Sequence, residues 1–179
     1  TGVDLSRRAL EVARARAEEE GLEIAFERGD MRESIAEAAF DGAVNLFTSF
    51  GYFETDEEHE RALRQIAGAL KPNGWFVQDY LNPRYVRETL VRQDFRSENG
   101  LEIEQRRWIE DGRLEKEIRL KRDGRSKSFL ESVRLFGRED FARMYQNAGL
   151  ELLETRGSYE GDSYEESSSP RLILYARKR

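Results

Sequence analysis

No cysteine occurs in the chain, and His59 is its one histidine. Disulfides, thiolate zinc sites and cysteine nucleophiles are therefore excluded, as is a histidine-rich metal site. Long apolar runs are missing too. No stretch approaches the roughly 20 apolar residues of a membrane span, and no signal-peptide pattern is visible. A cytoplasmic location without a membrane partner is the expectation. Positive charge is also in deficit: 30 lysines and arginines face 36 acidic residues, for a net charge of −6. Contact with phosphates needs a basic field, so nucleic acid is not an expected partner. The runs Lys121-Arg122 and Arg177-Lys178-Arg179 read as solvated ends.

What is present suits one domain spanning residues 1–179, long enough for a sizeable core. Thr1 to Leu5 reads as the end of a strand. Ser6 is a helix N-cap, and that helix runs to Glu20 and stops at Gly21. Leu22, Ile24 and Phe26 alternate as a second strand ending at Gly29-Asp30, with a short helix around Ser34 to Ala39. The apolar run Gly42 to Phe47 suits a central parallel strand. Thr55 and Glu58 form a capping box for a helix carrying Ala62, Leu63, Ile66 and Leu70. His59 lies in that helix among acidic neighbours and reads as solvated. "GWFVQDY" is a fourth strand, and Asn82-Pro83 opens another helix. Strand and helix alternate throughout, which predicts a doubly wound, mostly parallel α/β sheet.

From about Asp94 the pattern changes. Asp111-Gly112 and Asp123-Gly124 each sit between alternating segments, which signals hairpins. Residues 94–136 thus read as an inserted antiparallel meander, serving as a lid or as the contact of a homodimer. A helix ending at Gly149 follows. The last two strands have no helix between them and so pair antiparallel or lie apart.

Ligands of open parallel sheets bind beyond the carboxyl ends of the strands. That rule selects Asp4-Leu5, Asp30-Met31, Asn45 through Tyr52, and Asp79 through Asn82. Asp4 can accept hydrogen bonds from both ribose hydroxyls, or it can serve the dipole of the helix that follows. Asp30 can accept from an adenine amino group, or it can be a surface turn. Tyr52, Tyr80 and Asp79 are the acid–base candidates, with no catalytic residue assigned.

In order and spacing, "GVDLS", "RGDM", "FDGAVNLFTSFGYF" and "LKPNGWFVQDYLNP" resemble strand ends of the class I S-adenosylmethionine-dependent methyltransferases. The match is to small bacterial members with a β insertion after the fifth strand. The resemblance implies a Rossmann-like methyltransferase sheet closed by an antiparallel hairpin, with S-adenosyl-L-methionine as cofactor and a small molecule as methyl acceptor. It places Asp4, Leu5, Asp30, Met31, Asn45 and Leu46 at the cofactor, and Phe50, Tyr52, Tyr80 and Asn82 toward the acceptor. No metal is implied. The family's first strand and glycine-rich loop have no counterpart after Thr1, so a gap is expected beside the strands ending at Asp4 and Asn45. Two other readings remain: a nicotinamide-binding oxidoreductase, and a non-catalytic interaction domain that kept the fold.

Overall fold

The computed structural model describes residues 1–179. β1 (Gly2–Asp4) leads into α1 (Arg7–Glu19), where the Ser6 hydroxyl accepts the Ala9 N–H at 3.2 Å as an N-cap. β2 (Phe26–Arg28) lies parallel to β1, with Gly2 opposite Phe26 and Asp4 opposite Arg28. The strand expected from Leu22 begins only at Phe26. Phe26 lies opposite Gly2, and Leu22 and Ile24 stay exposed. No helix forms over residues 34–39.

β3 (Phe40–Asn45) runs parallel to β4 (Leu70–Leu81), joined to it through α2 (Asp56–Ala69). The capping box at the start of α2 is closed. Thr55 Oγ1 accepts the Glu58 N–H at 3.3 Å, and the Glu58 carboxylate accepts the Thr55 N–H at 3.3 Å. α3 (Pro83–Thr89) follows Asn82, whose side-chain oxygen accepts the Arg84 N–H. The meander comprises β5 (Gln93–Glu98), β6 (Leu101–Glu110), β7 (Arg113–Arg122) and β8 (Arg125–Arg134), each antiparallel to the next. α4 (Arg138–Ala148) stops at Gly149, which takes a left-handed φ of 79°. β9 (Leu150–Arg156) and β10 (Arg171–Lys178) then pair antiparallel.

The α/β character is as expected, but a mostly parallel sheet is not what forms. Parallel ladders join only β1 to β2 and β3 to β4. β10 inserts between β4 and β9 and runs against both, giving the order β3-β4-β10-β9. β1 and β3 share no ladder.

The core sits between α2, α4 and the β4–β10 face. Leu63, Phe76, Phe141, Tyr145 and Leu172 are among 19 residues of one buried cluster. The root of the meander is fastened to this body. The Arg134 N–H donates to the Gly51 carbonyl at 2.8 Å, and the Arg134 guanidinium pairs with Asp56 at 3.1 Å. Gly51 has a φ of 102°, and a Cβ there would press on the Tyr80 hydroxyl and Val133. No helix is long and apolar enough to cross a membrane.

Candidate functional site

The carboxyl ends of β1, β2 and β3 open into one cavity of about 640 Å³. Asp4 and Leu5 reach it from β1, Asp30 and Met31 from β2, and Asn45 and Leu46 from β3. Tyr52 lines it from the loop before α2. The volume falls in the range of small-molecule sites. Its floor is apolar and open: Val44 and Trp75 are each more than half exposed, unlike side chains of a covered parallel strand. Gly42 lets the Trp75 ring lie across β3, where a Cβ would overlap it.

The two acids are held differently. Asp4 Oδ1 accepts the Ser6 N–H at 2.7 Å, and no partner takes Oδ2. Asp4 can therefore serve the start of α1 and still accept from a ligand. Asp30 is engaged by Arg32: Oδ1 accepts from the Arg32 backbone N–H at 2.9 Å and from Nε at 3.1 Å, while Oδ2 accepts from the guanidinium at 2.6 Å. That pairing holds the Asp30 carboxyl below the ordinary range. Arg32 also pairs with Glu58 at 2.5 Å and lies 4.8 Å over the Phe53 ring. It thus ties the end of β2 to the start of α2.

The wall beyond β3 is a tight turn over Leu46–Ser49. The Ser49 N–H donates to the Leu46 carbonyl at 3.2 Å. The central residues Phe47 and Thr48 have φ of 55° and 59°. Two positive values in succession mark a type I′ turn, which ordinarily takes Asn-Gly. Nearby, Asn45 Oδ1 is buried with no donor.

Four residues selected at strand ends do not serve the cavity. Phe50 is a core residue in edge contact with His59 and packed on Phe136 and Phe141. Tyr80 is fully buried, its hydroxyl donating to the Arg134 carbonyl, and burial pushes its pKa up. Asn82 is a pin: besides capping α3, its amide donates to the Glu166 and Ser169 carbonyls at 2.9 and 2.7 Å. Asp79 is 1% exposed and does not line the cavity, and its carboxylate accepts from Phe47, Tyr159 and Arg171, so it is committed to partners within the protein. The strand-end rule fixes backbone positions only: alternation along β4 turns Tyr80 toward Phe141 of α4, while Phe50 lies in a loop and Asn82 caps a helix, where no alternation applies. His59 is corrected too. It is fully buried, and its ring lies among Phe50, Phe53 and Phe136.

Tyr52 is half exposed at the cavity. Partial burial and the Glu131 charge raise its pKa, so its hydroxyl stays protonated at neutral pH. Residues that the sequence did not single out include Arg32, Trp75 and Arg171. The Asp-x-Arg spacing was the available signal for the first, and none was available for the others. No cluster of three or more His, Cys, Asp or Glu is gathered to hold a metal.

Comparisons with known proteins bear on the family and the fold. Residues 1–74 match the model of the Methyltransferase domain family (Methyltransf_25). A dTDP-3-amino-3,4,6-trideoxy-alpha-D-glucopyranose N,N-dimethyltransferase from Streptomyces venezuelae is 31% identical over 102 residues, covering 54% of this chain and 41% of that protein. The chain thus spans about two fifths of the curated relative it matches. A S-adenosylmethionine-dependent methyltransferase from Clostridium acetobutylicum superimposes with a TM-score of 0.86 at 18% identity, over 98% of this chain and 73% of that one. The CcbJ methyltransferase from Streptomyces caelestis gives 0.83 at 21% identity, over 99% and 73%. The resemblance to methyltransferases is borne out at the front by the family match over residues 1–74, and nearly the whole chain shares the fold of S-adenosylmethionine-dependent methyltransferases.

Proposed function

We propose that this protein transfers a methyl group from S-adenosylmethionine to a small-molecule acceptor. The observation that carries this reading is convergence: the ends of three strands, bearing two acids and an orphaned amide oxygen, meet in one cavity with an aromatic wall. The residues suit the cofactor. Asp4 Oδ2 is open to ribose hydroxyls. Asp30 has little acceptor capacity beyond Arg32, so an adenine amino group would meet the pair as a unit, with Met31 beside the ring. Asn45 Oδ1 is a buried acceptor without a donor, on a residue that lines the cavity.

The cofactor would supply a methyl carbon activated by a sulfonium leaving group. The chain then needs no nucleophile of its own, and positioning supplies most of the rate. Leu46 and Phe47 line one side of the cavity and would shield a bound cofactor from water there. Tyr52 keeps its proton at neutral pH and acts as a hydrogen-bond donor, not as a base. The name of the Streptomyces venezuelae relative makes an amine on a nucleotide-linked sugar the first acceptor class to try.

Calorimetric titration with S-adenosylhomocysteine tests the reading. Saturable one-to-one binding is expected, with none for NAD in the same cell. Binding of NAD instead would favour the oxidoreductase, and binding of neither would favour a non-catalytic domain. Release of S-adenosylhomocysteine on addition of an amino-sugar nucleotide would then test the acceptor class.

A further inference from the structure

The turn Leu46–Ser49 is built from residues that do not favour its geometry. Phe47 is bulky and Thr48 is β-branched, yet both hold a left-handed φ. Side chains with a Cβ resist that conformation, β-branched ones most of all. Such a turn persists where its surroundings over-determine it, and an outlier of this kind points toward function.

The surroundings here are centred on Asp79. Its Oδ2 accepts the Phe47 N–H at 2.8 Å and the Tyr159 hydroxyl at 2.9 Å. Its Oδ1 accepts Arg171 Nε at 2.7 Å, and its backbone carbonyl accepts the Thr48 N–H at 3.1 Å. Arg171 completes the ring by donating to Thr48 Oγ1 at 3.0 Å. Both left-handed residues are thus fastened, by main chain and by side chain, to one residue at the end of β4. The same carboxylate places the Tyr159 ring against Phe47, edge to face at 6.4 Å between centroids. Phe47 and Tyr159 are 75% and 61% exposed, so neither ring is packed by the core. Partial desolvation and the bond to Asp79 raise the Tyr159 pKa, which keeps its hydroxyl a donor.

We infer that Asp79 is a positioning residue: it touches no reacting group, and it sets the Phe47–Thr48 wall of the cavity and the Tyr159 ring beside it. This inference rests on the cofactor reading above for its functional consequence, and on geometry alone for the clamp itself.

Asp79→Asn tests it, because an amide keeps the shape but offers one acceptor where two are needed. The full chain is titrated with S-adenosylhomocysteine, and exchange of the Phe47 and Thr48 amides is followed by NMR. We expect about tenfold weaker binding and about tenfold faster exchange at those amides, with Phe76 and Leu174 in the strands unchanged. Adding Thr48→Gly to the variant should restore much of the affinity, since glycine takes a positive φ without strain. A merely structural role would show no such rescue. The variant leaves Arg171 unpaired and is at risk of misfolding, so Asp79→Asn/Arg171→Met, which leaves no lone charge, is measured beside it. Unchanged exchange at Phe47 in the folded variants overturns the clamp. Faster exchange with unchanged affinity overturns the positioning role. If the parent chain binds no S-adenosylhomocysteine, the cofactor reading fails, and the exchange rates still decide the clamp.

Discussion

The half of the molecule around β4 and the half around β1 differ in what they bury. Of the 34 buried residues, only Leu10 and Ala17 lie before residue 50. The cluster beneath β4 and β10 holds 19. By contrast, Leu5, Val44, Leu46 and Phe47, all on the cavity, are exposed apolar side chains. One half therefore holds most of the buried core, while the other, together with Ile66, Trp75 and Phe76, lines the cavity. Substitutions in the two halves should separate into those that unfold the protein and those that change what it holds.

The largest effect is expected at Phe141. It is fully buried and packs on Phe50, Tyr80, Phe136 and Tyr145. Phe141→Ala should cost about 4 kcal/mol in urea unfolding, through lost transfer energy and the cavity left behind. Leu5→Ala, at a position 58% exposed, should cost about 0.5 kcal/mol or less. Equal costs at the two positions would erase the contrast between the halves.

Much of this division could be read in advance, and the failures have physical causes. Helical caps at Ser6, Thr55 and Asn82 were legible because capping chemistry is local. The meander was legible through its Asp-Gly turns, where Asp111 and Asp123 take φ of 48° and 50°. Asn99-Gly100 makes a turn of the same kind, yet β5 before it has one large apolar residue, Phe95, so no alternation drew attention to it. Asp4, Asp30, Asn45 and Tyr52 were placed at one cavity by a rule about strand ends. Phe50, Tyr80 and Asn82 were misplaced because that rule says nothing of side-chain direction. His59 belongs to the buried face of α2, four residues before Leu63 and seven before Ile66, and its acidic neighbours hid that spacing.

A second effect should fall on binding without touching stability. Asp4→Ala removes an exposed carboxylate whose one internal bond is to the Ser6 N–H. Hydrogen bonds to a charged acceptor contribute about 2 kcal/mol. Affinity for S-adenosylhomocysteine should therefore fall about thirtyfold while the melting temperature stays within about 2 °C. Unchanged affinity would remove Asp4 from the site, and a collapse of Tm would show that the β1 half carries stability after all.

Arg32→Gln probes the seam between the halves, since Arg32 links Asp30 to Glu58. These pairs are partly solvated, so the effect should be modest: about threefold weaker S-adenosylhomocysteine binding, and less at high salt. No weakening in the variant, or weakening that does not shrink at high salt, would mean that these ion pairs do not shape the cavity.

The smallest effect concerns His59, on the same seam. Its Nδ1 lies 2.7 Å from the Thr55 carbonyl, and the Phe53 N–H points at Nε2 from 3.3 Å. The proton therefore sits on Nδ1, and Nε2 accepts. Burial lowers the pKa from 6.5, and Arg113 adds to that, while bonding to backbone carbonyls and the Asp56 charge oppose it. Protonation would turn Nε2 into a donor facing another donor. The unfolded chain takes up a proton near pH 6.5 and the folded chain resists it, so the unfolded state binds more protons and stability falls as pH falls. The loss starts near pH 6.5 and continues down to the folded pKa, at no more than about 1.4 kcal/mol per pH unit. Between pH 6.5 and 5 the paired carboxylates of Asp30 and Glu58, whose pKa values are lowered, stay ionised and contribute little slope. Thermal melts across that window should show Tm falling in the parent chain and a flatter profile in His59→Gln. Identical slopes would mean that the ring already meets solvent, and that the seam between the two halves is looser than its packing implies.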